Sequence, residues 1–331
     1  MNGMAHAGRR NEGCDCARCA AINPSPARPP RTLTDFPGWP DPAERAHSSL
    51  SLLVPDEADP SRVGTHILID VGGGVVDSLV DSRIPGIERV DALVLSHWHS
   101  DHIQGHEALR DVRRTQEGAS QTIPFHCHPE SYAKVLAENE GIADHLEYHP
   151  SDNGVPFRIG TFEFVPFQVR HLDYPGCLVH VCTEERTGIK MIFAWDIDTP
   201  DCVLPGGIGT NLDVFTQDIF ADASSLIVES NTWQTTRFVL DGERRTTGHA
   251  NFLAGWQYVQ TCRPKGLGIT HLSGHEDELA PDQMGFGWPD ARWVREARAY
   301  SDAHPVGGRS VPVHELYQGT VFSSDVLPAP G

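Results

Sequence analysis

His97-Trp98-His99-Ser100-Asp101-His102 places four metal-competent side chains within six residues, directly after the apolar run Ala92-Leu93-Val94-Leu95. A short, partly β-branched run flanked by polar residues predicts a buried strand, so the four side chains fall at its carboxyl end. His97 and His99 are two positions apart in extended chain. They therefore project to one side and can share an ion. Asp101 and His102 come where the chain is expected to turn into a helix over residues 103–110, which aims them at a second ion nearby. Imidazole and carboxylate together suit zinc, manganese or iron. Any two of these residues could be polar loop residues without function. The complete H-x-H-x-D-H spacing after a strand is far more specific.

This segment resembles the signature of the metallo-β-lactamase superfamily, whose members are αββα sandwiches with a dinuclear metal site at one edge. The resemblance implies further residues in a fixed order. His171 lies in Val169-Arg170-His171, after the alternating run 161–169, where the family has the third histidine of the first metal. Asp196 closes the apolar run Met191-Ile192-Phe193-Ala194-Trp195, where the family has the carboxylate that bridges both metals. Asp198, two residues on, is the alternative for that role. His271, in Ile269-Thr270-His271-Leu272-Ser273, ends a short predicted strand as the family's last ligand does.

Carried over residue by residue, the resemblance gives His97, His99 and His171 to the first ion. It gives Asp101, His102 and His271 to the second, with Asp196 bridging. It covers the chain from about residue 49 to residue 270. The later matches are weak alone, because a lone histidine such as His171 is more often a surface or satisfied core residue. Ile69-Asp70-Val71-Gly72-Gly73-Gly74 resembles the superfamily's early I-D-x-G element. Asp70 would then support the metal loop by hydrogen bonding, and the glycines would allow a tight turn. A glycine-rich nucleotide loop is the weaker alternative.

Gly13-Cys14-Asp15-Cys16-Ala17-Arg18-Cys19 supplies three thiols in C-x-C-x-x-C spacing. Clustered cysteines without a secretory context point to metal more than to disulfides. A tetrahedral zinc held by three thiolates needs one further ligand. PhnP-type phosphodiesterases open with a similar G-C-x-C-x-x-C, and a histidine just after their last active-site histidine completes a structural zinc. The resemblance gives that place to His275, four residues after His271 and one residue further than in that branch. Such a zinc would pin the amino terminus beside the site. Three unpaired thiols on a tail are the alternative. Cys127, Cys177, Cys182, Cys202 and Cys262 show no paired spacing and read as small buried hydrophobes.

The chain has 331 residues and a formal net charge of −19. So acidic a body disfavours a nucleic acid polymer as partner, since affinity for phosphate backbones comes largely from Lys and Arg. A small-molecule substrate is expected instead. The first twenty residues are polar and no apolar run approaches the roughly 20 residues that span a bilayer. A soluble, cytoplasmic protein without a membrane partner is expected, and a homodimer is left open. The cysteine- and proline-rich segment 1–48 is expected to pack on one main domain, 49–331. Within it, 273–312 reads either as a lid or as a surface excursion.

Strands are predicted over residues 50–54, 66–71, 92–96, 123–126, 161–169, 178–183, 190–195, 226–229, 268–270 and 320–323. Helices are predicted over 103–110, 130–138, 251–262 and 290–303. Strand runs with helices interspersed fit an α/β (α+β) fold, the four-layer αββα sandwich.

Two divalent ions, zinc or manganese with iron as the alternative, would activate a water and polarise the electrophile that it attacks. Asp101 could orient that water. A phosphodiester also needs an acid for the departing alkoxide. His249 in Thr247-Gly248-His249-Ala250, ahead of a predicted helix, is the candidate. The PhnP-like and tRNase Z-like members carry a histidine at the matching place; the alternative is a surface residue beside a helix cap. His106, His126, His128 and His180 read as background, and Trp98 as packing. The expected activity is a metal-dependent hydrolase with a dinuclear site, acting on a small phosphodiester, cyclic ones included. Lactone, ester or thioester hydrolysis is the alternative of the same fold. A PqqB-like, iron-dependent oxidative enzyme is the alternative of another class.

Overall fold

Alternation decides the layers. In Val63–Ile69 (β2) and Ala92–Val94 (β3), Ile67, Ile69, Ala92 and Val94 share one core cluster, while Leu68 and Leu93 belong to another. Successive side chains of a strand point to opposite faces. A strand buried on both faces must therefore be sandwiched between two layers. Both clusters are apolar and buried, which is why these runs read as continuously apolar rather than alternating.

The computed structural model describes residues 49–76, 79, 86–87, 89–114, 122–172, 174–234, 237–240, 243–246, 248–272, 288 and 290–314. One sheet holds, in order, Leu50–Pro55 (β1), β2, β3, Ile123–Cys127 (β4) and Leu146–Pro150 (β5). Its β1–β2 pair is antiparallel and the rest are parallel. Six strands of the second sheet are Phe157–Ile159 (β6), Phe162–Gln168 (β7), Leu178–Glu184 (β8), Ile189–Ala194 (β9), Ser225–Glu229 (β10) and Leu267–Thr270 (β13). With Val313–His314 (β14) at its edge, the order is β14-β13-β10-β9-β8-β7-β6. Arg237–Leu240 (β11) and Glu243–Thr246 (β12) form a separate hairpin.

Ile67, Ile69 and Val94 of the first sheet meet Phe164, Phe193, Trp195 and Ile227 of the second in the central cluster. On the outer face of the first sheet, Leu68, Leu93 and Phe125 pack with Ile103 of Ser100–Ile103 (α1). Leu109 of His106–Arg114 (α2) and Val135 of Pro129–Glu138 (α3) complete that layer. On the outer face of the second sheet, Val181, Ile192 and Val228 pack with residues of three helices. These are Asn211–Phe215 (α4), Phe252–Cys262 (α5) and Asp290–Ala303 (α6). The result is the expected four-layer αββα sandwich.

Several local expectations are corrected. The single helix expected over 103–110 is two helices, α1 and α2, separated by Gln104 and Gly105. Gly105 donates to the Val71 carbonyl at 2.7 Å, and a Cβ there would lie 2.5 Å from the Gly72 oxygen. Close backbone approach thus breaks the helix. The strand expected over 66–71 stops at Ile69, because Asp70 takes a left-handed backbone (φ 57°). His128, read as background, has a local role: its Nδ1 accepts from the Glu130 amide at 3.2 Å and caps α3, with Pro129 at the first turn. Strands β5, β6, β11, β12 and β14 and helix α4 were not anticipated. The segment 273–312 contains α6, with Trp293 buried in the core cluster, and β14 follows directly after it. The strand expected at 320–323, the cysteines Cys14, Cys16 and Cys19, and His275 lie outside the described residues.

Candidate metal centre

Parallel pairing aligns strand ends. β9, β10 and β13 run parallel in register, Val228 opposite Ala194 and Glu229 opposite Thr270. The turn comes two residues beyond β9, at Asp196, and one beyond β13, at His271, while β10 itself ends on Glu229. β2 and β3 pair the same way, Ile69 opposite Val94. Residues just beyond these strands therefore gather at one edge of the sandwich. Asp70, Asp196 and His271 each turn there with a left-handed φ of 57°, 56° and 54°. Such backbones cost on the order of 1–3 kcal/mol each for residues other than glycine, and here they cluster at the site.

Two groups of side chains converge. His97, His99, His171 and Asp196 form the first, and Asp101, His102, Asp196 and His271 the second, each with ligand atoms within 4.8 Å of one another. In the first, His97 Nε2 and His99 Nδ1 face each other at 2.8 Å, and His171 Nε2 lies 3.3 Å from His99 Nδ1. Asp196 Oδ2 is 3.4 Å from His97 Nε2. In the second, Asp196 lies 3.2 Å from both His102 Nε2 and His271 Nε2, through its two oxygens. Asp101 Oδ2 lies 3.6 Å from His102 and 3.7 Å from His271.

Outer partners fix which nitrogen of each ring faces inward. His171 Nδ1 donates to the Gly248 carbonyl at 2.6 Å, leaving the Nε2 lone pair for the first group. His102 Nδ1 donates to Asp70 Oδ2 at 2.7 Å. The same Asp70 oxygen accepts from the Ser96 hydroxyl and from Trp195 Nε1, each at 2.6 Å. With its proton so used, the Ser96 oxygen accepts from His97 Nδ1 at 3.1 Å, which turns His97 Nε2 inward. Oriented lone pairs of this kind are what metal-binding histidines need.

The residues fit divalent cations by a direct criterion. His102 Nε2, Asp196 Oδ1 and both nitrogens of His271 are buried without a hydrogen-bond partner. Orphaned buried polar atoms are costly, and here His271 Nε2 faces Asp196 Oδ1 while its Nδ1 lies 3.8 Å from Glu229 Oε2. Burial drives His97 and His171 well below the ordinary histidine range and His99 down to about 4. The first group is thus neutral imidazole, the form that binds metal. Burial would also lower His102, but Asp196, Asp101 and Asp70 outweigh it and hold it raised. Burial would raise Asp196, yet His271 and His102 hold it low. In the bare protein a proton on His102 balances the carboxylates, where a cation would serve.

A third group, Asp196, Glu229, His249 and His271, adjoins the second. Glu229 is fully buried. Its Oε2 accepts from His249 Nδ1 at 2.6 Å, and its Oε1 accepts from the amides of Ile197 and Ala250. The His249 ring centroid lies 4.9 Å from that of His171 and 4.8 Å from that of His271. Burial would lower His249, but Glu229 raises it to about 9, so it is an imidazolium near neutrality.

Every dinuclear-site residue singled out in the sequence is therefore at this edge, together with His249 and Asp70. Asp198 lies outside all three groups: it accepts from the Leu172 amide at 3.1 Å and pairs with Arg170 at 3.5 Å. Burial, then Glu229, raises it to about 6. Of the background histidines, His106 is tied to His145 at 3.0 Å, and His126 stacks on Phe157. Trp98 packs against the outer core of the first sheet, as expected. Sequence reasoning missed Glu229 and Ser96. Glu229 did carry a signal: it closes an apolar strand on a carboxylate, as Asp196 does for β9.

A two-sheet sandwich with paired His/Asp groups at one edge is the architecture of the metallo-β-lactamase fold. The beta-lactamase superfamily domain matches residues 65–272, well over half of the chain, and the chain belongs to that family. Among relatives, it is 30% identical over 116 residues to a ribonuclease Z of Bradyrhizobium sp. (strain ORS 278). That match covers 33% of this chain and only 38% of the ribonuclease. Among solved structures, a diphosphatase of the PhnP family superposes with a TM-score of 0.57 at 16% identity, covering 93% of this chain and 90% of that one. The zinc-bound PqqB of Methylobacterium extorquens superposes with a TM-score of 0.54 at 14% identity, covering 82% and 87%. Among the described residues no helix is long and apolar enough to cross a membrane.

Proposed function

We propose that the chain is a metal-dependent phosphodiesterase of the PhnP-like branch, acting on a small phosphodiester, cyclic ones included. The observation that carries this reading is His249, charged through Glu229 and set beside both candidate pockets. A phosphodiester needs a proton delivered to its leaving alkoxide, whereas a lactone or thioester has less need of one. The named ribonuclease Z and PhnP-family diphosphatase act at phosphate groups, which supports the same direction.

His97, His99 and His171 would hold one divalent ion, Asp101, His102 and His271 a second, and Asp196 both. The ions, when bound, would acidify a water and draw charge from a phosphoryl oxygen. Asp101, the more exposed of the two carboxylates, orients the attacking water. His249 holds the proton at Nε2, because Nδ1 is engaged by Glu229. It transfers that proton to the departing oxygen. Glu229 keeps the imidazole charged and correctly turned.

The same reading assigns a structural zinc to Cys14, Cys16, Cys19 and His275, which would fasten residues 1–48 to the main domain. It assigns a cytoplasmic location and a small-molecule substrate. Purified protein loaded with manganese or zinc should cleave bis(p-nitrophenyl) phosphate, and His249→Ala should slow it by roughly 10² or more. Lactone turnover without phosphodiesterase activity would sink the proposal, and dioxygen uptake by iron-loaded protein would favour the PqqB-like alternative. Metal analysis should give about three ions per chain, with one lost in Cys16→Ser while the dinuclear pair stays.

A further inference from the structure

Tyr174 is used by nothing described so far. It lies three residues after His171, in the turn between β7 and β8. Its amide donates to the His171 carbonyl at 3.2 Å in an isolated antiparallel bridge. Its ring stands edge to face against His99, with centroids 4.4 Å apart and planes at 85°, and lies 6.0 Å from His171. Trp98 backs it at 5.3 Å and 86°. Trp98 is itself pinned between His99, at 5.0 Å, and the Lys134 ammonium, 5.6 Å above its ring.

The turn cannot easily swing away. Gly176 has φ +78°, and a Cβ there would lie 2.8 Å from His128 Nδ1 and from Ser131 Oγ. Ser131 Oγ also donates to the Gly176 carbonyl at 2.8 Å. Tyr174 thus stands as an aromatic wall between two tied points of the turn, at His171 and Gly176. Its side chain is half-buried, and among the described residues no hydrogen bond engages its hydroxyl.

The centre has an open side. His97, His102, His171, Asp196, Glu229 and His271 are buried, whereas His99, Asp101 and His249 are partly exposed. A substrate must arrive over the exposed three, and Tyr174 stands against one of them. We infer that Tyr174 is a specificity-determining residue that takes a planar aromatic substituent of the substrate against its ring. Aromatic rings pair favourably in stacked or edge-to-face geometry, and a fixed ring loses little freedom on doing so. The preferred substrate is therefore one with an aryl or heterocyclic group next to the group attacked.

The inference rests on the centre accepting a phosphoryl or phosphonyl group, as the proposed function has it, but not on its cleaving a diester. Two measurements on the metal-loaded full chain separate them. Phenylphosphonate should bind roughly tenfold more tightly than methylphosphonate by titration calorimetry. Phenyl p-nitrophenyl phosphate should exceed methyl p-nitrophenyl phosphate in kcat/KM by a similar factor, the leaving group being the same. Tyr174→Ala should bring both ratios to within about twofold of unity, and Tyr174→Phe should retain them, with metal content unchanged in both and thermal unfolding unchanged in Tyr174→Phe. A ratio near one in the native protein, failure of both phosphonates to bind, or an undiminished preference in Tyr174→Ala overturns the inference. Selective phenylphosphonate binding without diester cleavage overturns the phosphodiesterase reading instead. Cleavage without any aryl preference does the reverse.

Discussion

The two pockets share Asp196 but are opposite in character. The first is three imidazoles driven neutral by burial, with one carboxylate at its side. The second has two carboxylates, with a third, Asp70, behind His102, and the three together hold a proton on that ring. A cation in the second pocket would compete with that proton, whereas the first would be met by neutral rings. The first set offers three nitrogens to one oxygen and the second two of each, a difference that favours different ions. The supports differ as well. His171 leans on a main-chain carbonyl, that of Gly248, whereas His102 leans on a side chain. A side chain can be removed by one substitution, and a carbonyl can only be displaced.

The largest expected effect falls on what the pockets share. Asp196→Ala should empty both and lower turnover on the order of 10³ or more, while Asp198→Asn should keep both ions in metal analysis. The opposite result would move the shared carboxylate to Asp198 and break the comparison.

Burial also keeps imidazoles neutral far from the site. His66 is pushed down to about 4, chiefly by burial, and its nitrogens are held by the Ile87 carbonyl and the Ser51 hydroxyl. Its folded value lies below the unfolded one, so its contribution is complete above pH 6.5 and is lost as pH falls toward 4. The expected loss is about 3 kcal/mol. Denaturant unfolding of metal-stripped protein should show it, and His66→Gln should flatten the slope. An unchanged slope would separate the neutrality of the first pocket from simple burial.

Asp70→Ala should weaken cation binding about 10- to 100-fold in the second pocket alone, read by chelator competition with two resolvable sites. Equal weakening of both would mean that Asp70 supports the whole edge through Ser96 and His97. The smallest change is expected for Gly248→Ala. Gly248 has φ +74°, and an added Cβ would lie 2.2 Å from Leu172 Cγ. Displacing its carbonyl should loosen His171 and weaken the first pocket by about fivefold or so, with the second untouched.

Much of this edge was legible beforehand because its pieces are local. The H-x-H-x-D-H spacing, and the apolar runs that stop at Asp196 and His271, are contained in a few consecutive residues each. Elements that depend on distant partners were not legible. Gly105 breaks a helix only because the turn at Val71 and Gly72 passes beneath it. Ser96 matters only because its hydroxyl already donates to Asp70 and leaves the oxygen free to accept. Tyr174 reads as an ordinary aromatic until its ring stands against His99.

The amino-acid order alone determined which residues could bind cations and that each lies where an apolar run ends, since side-chain alternation and strand termination are short-range effects. Tertiary structure decided which of those ends meet. Parallel pairing sets Ala194 beside Val228 and Glu229 beside Thr270, bringing Asp196, Glu229 and His271 together across dozens of intervening residues. It also decided which protons stay, because that depends on how much water and how many carboxylates surround each ring.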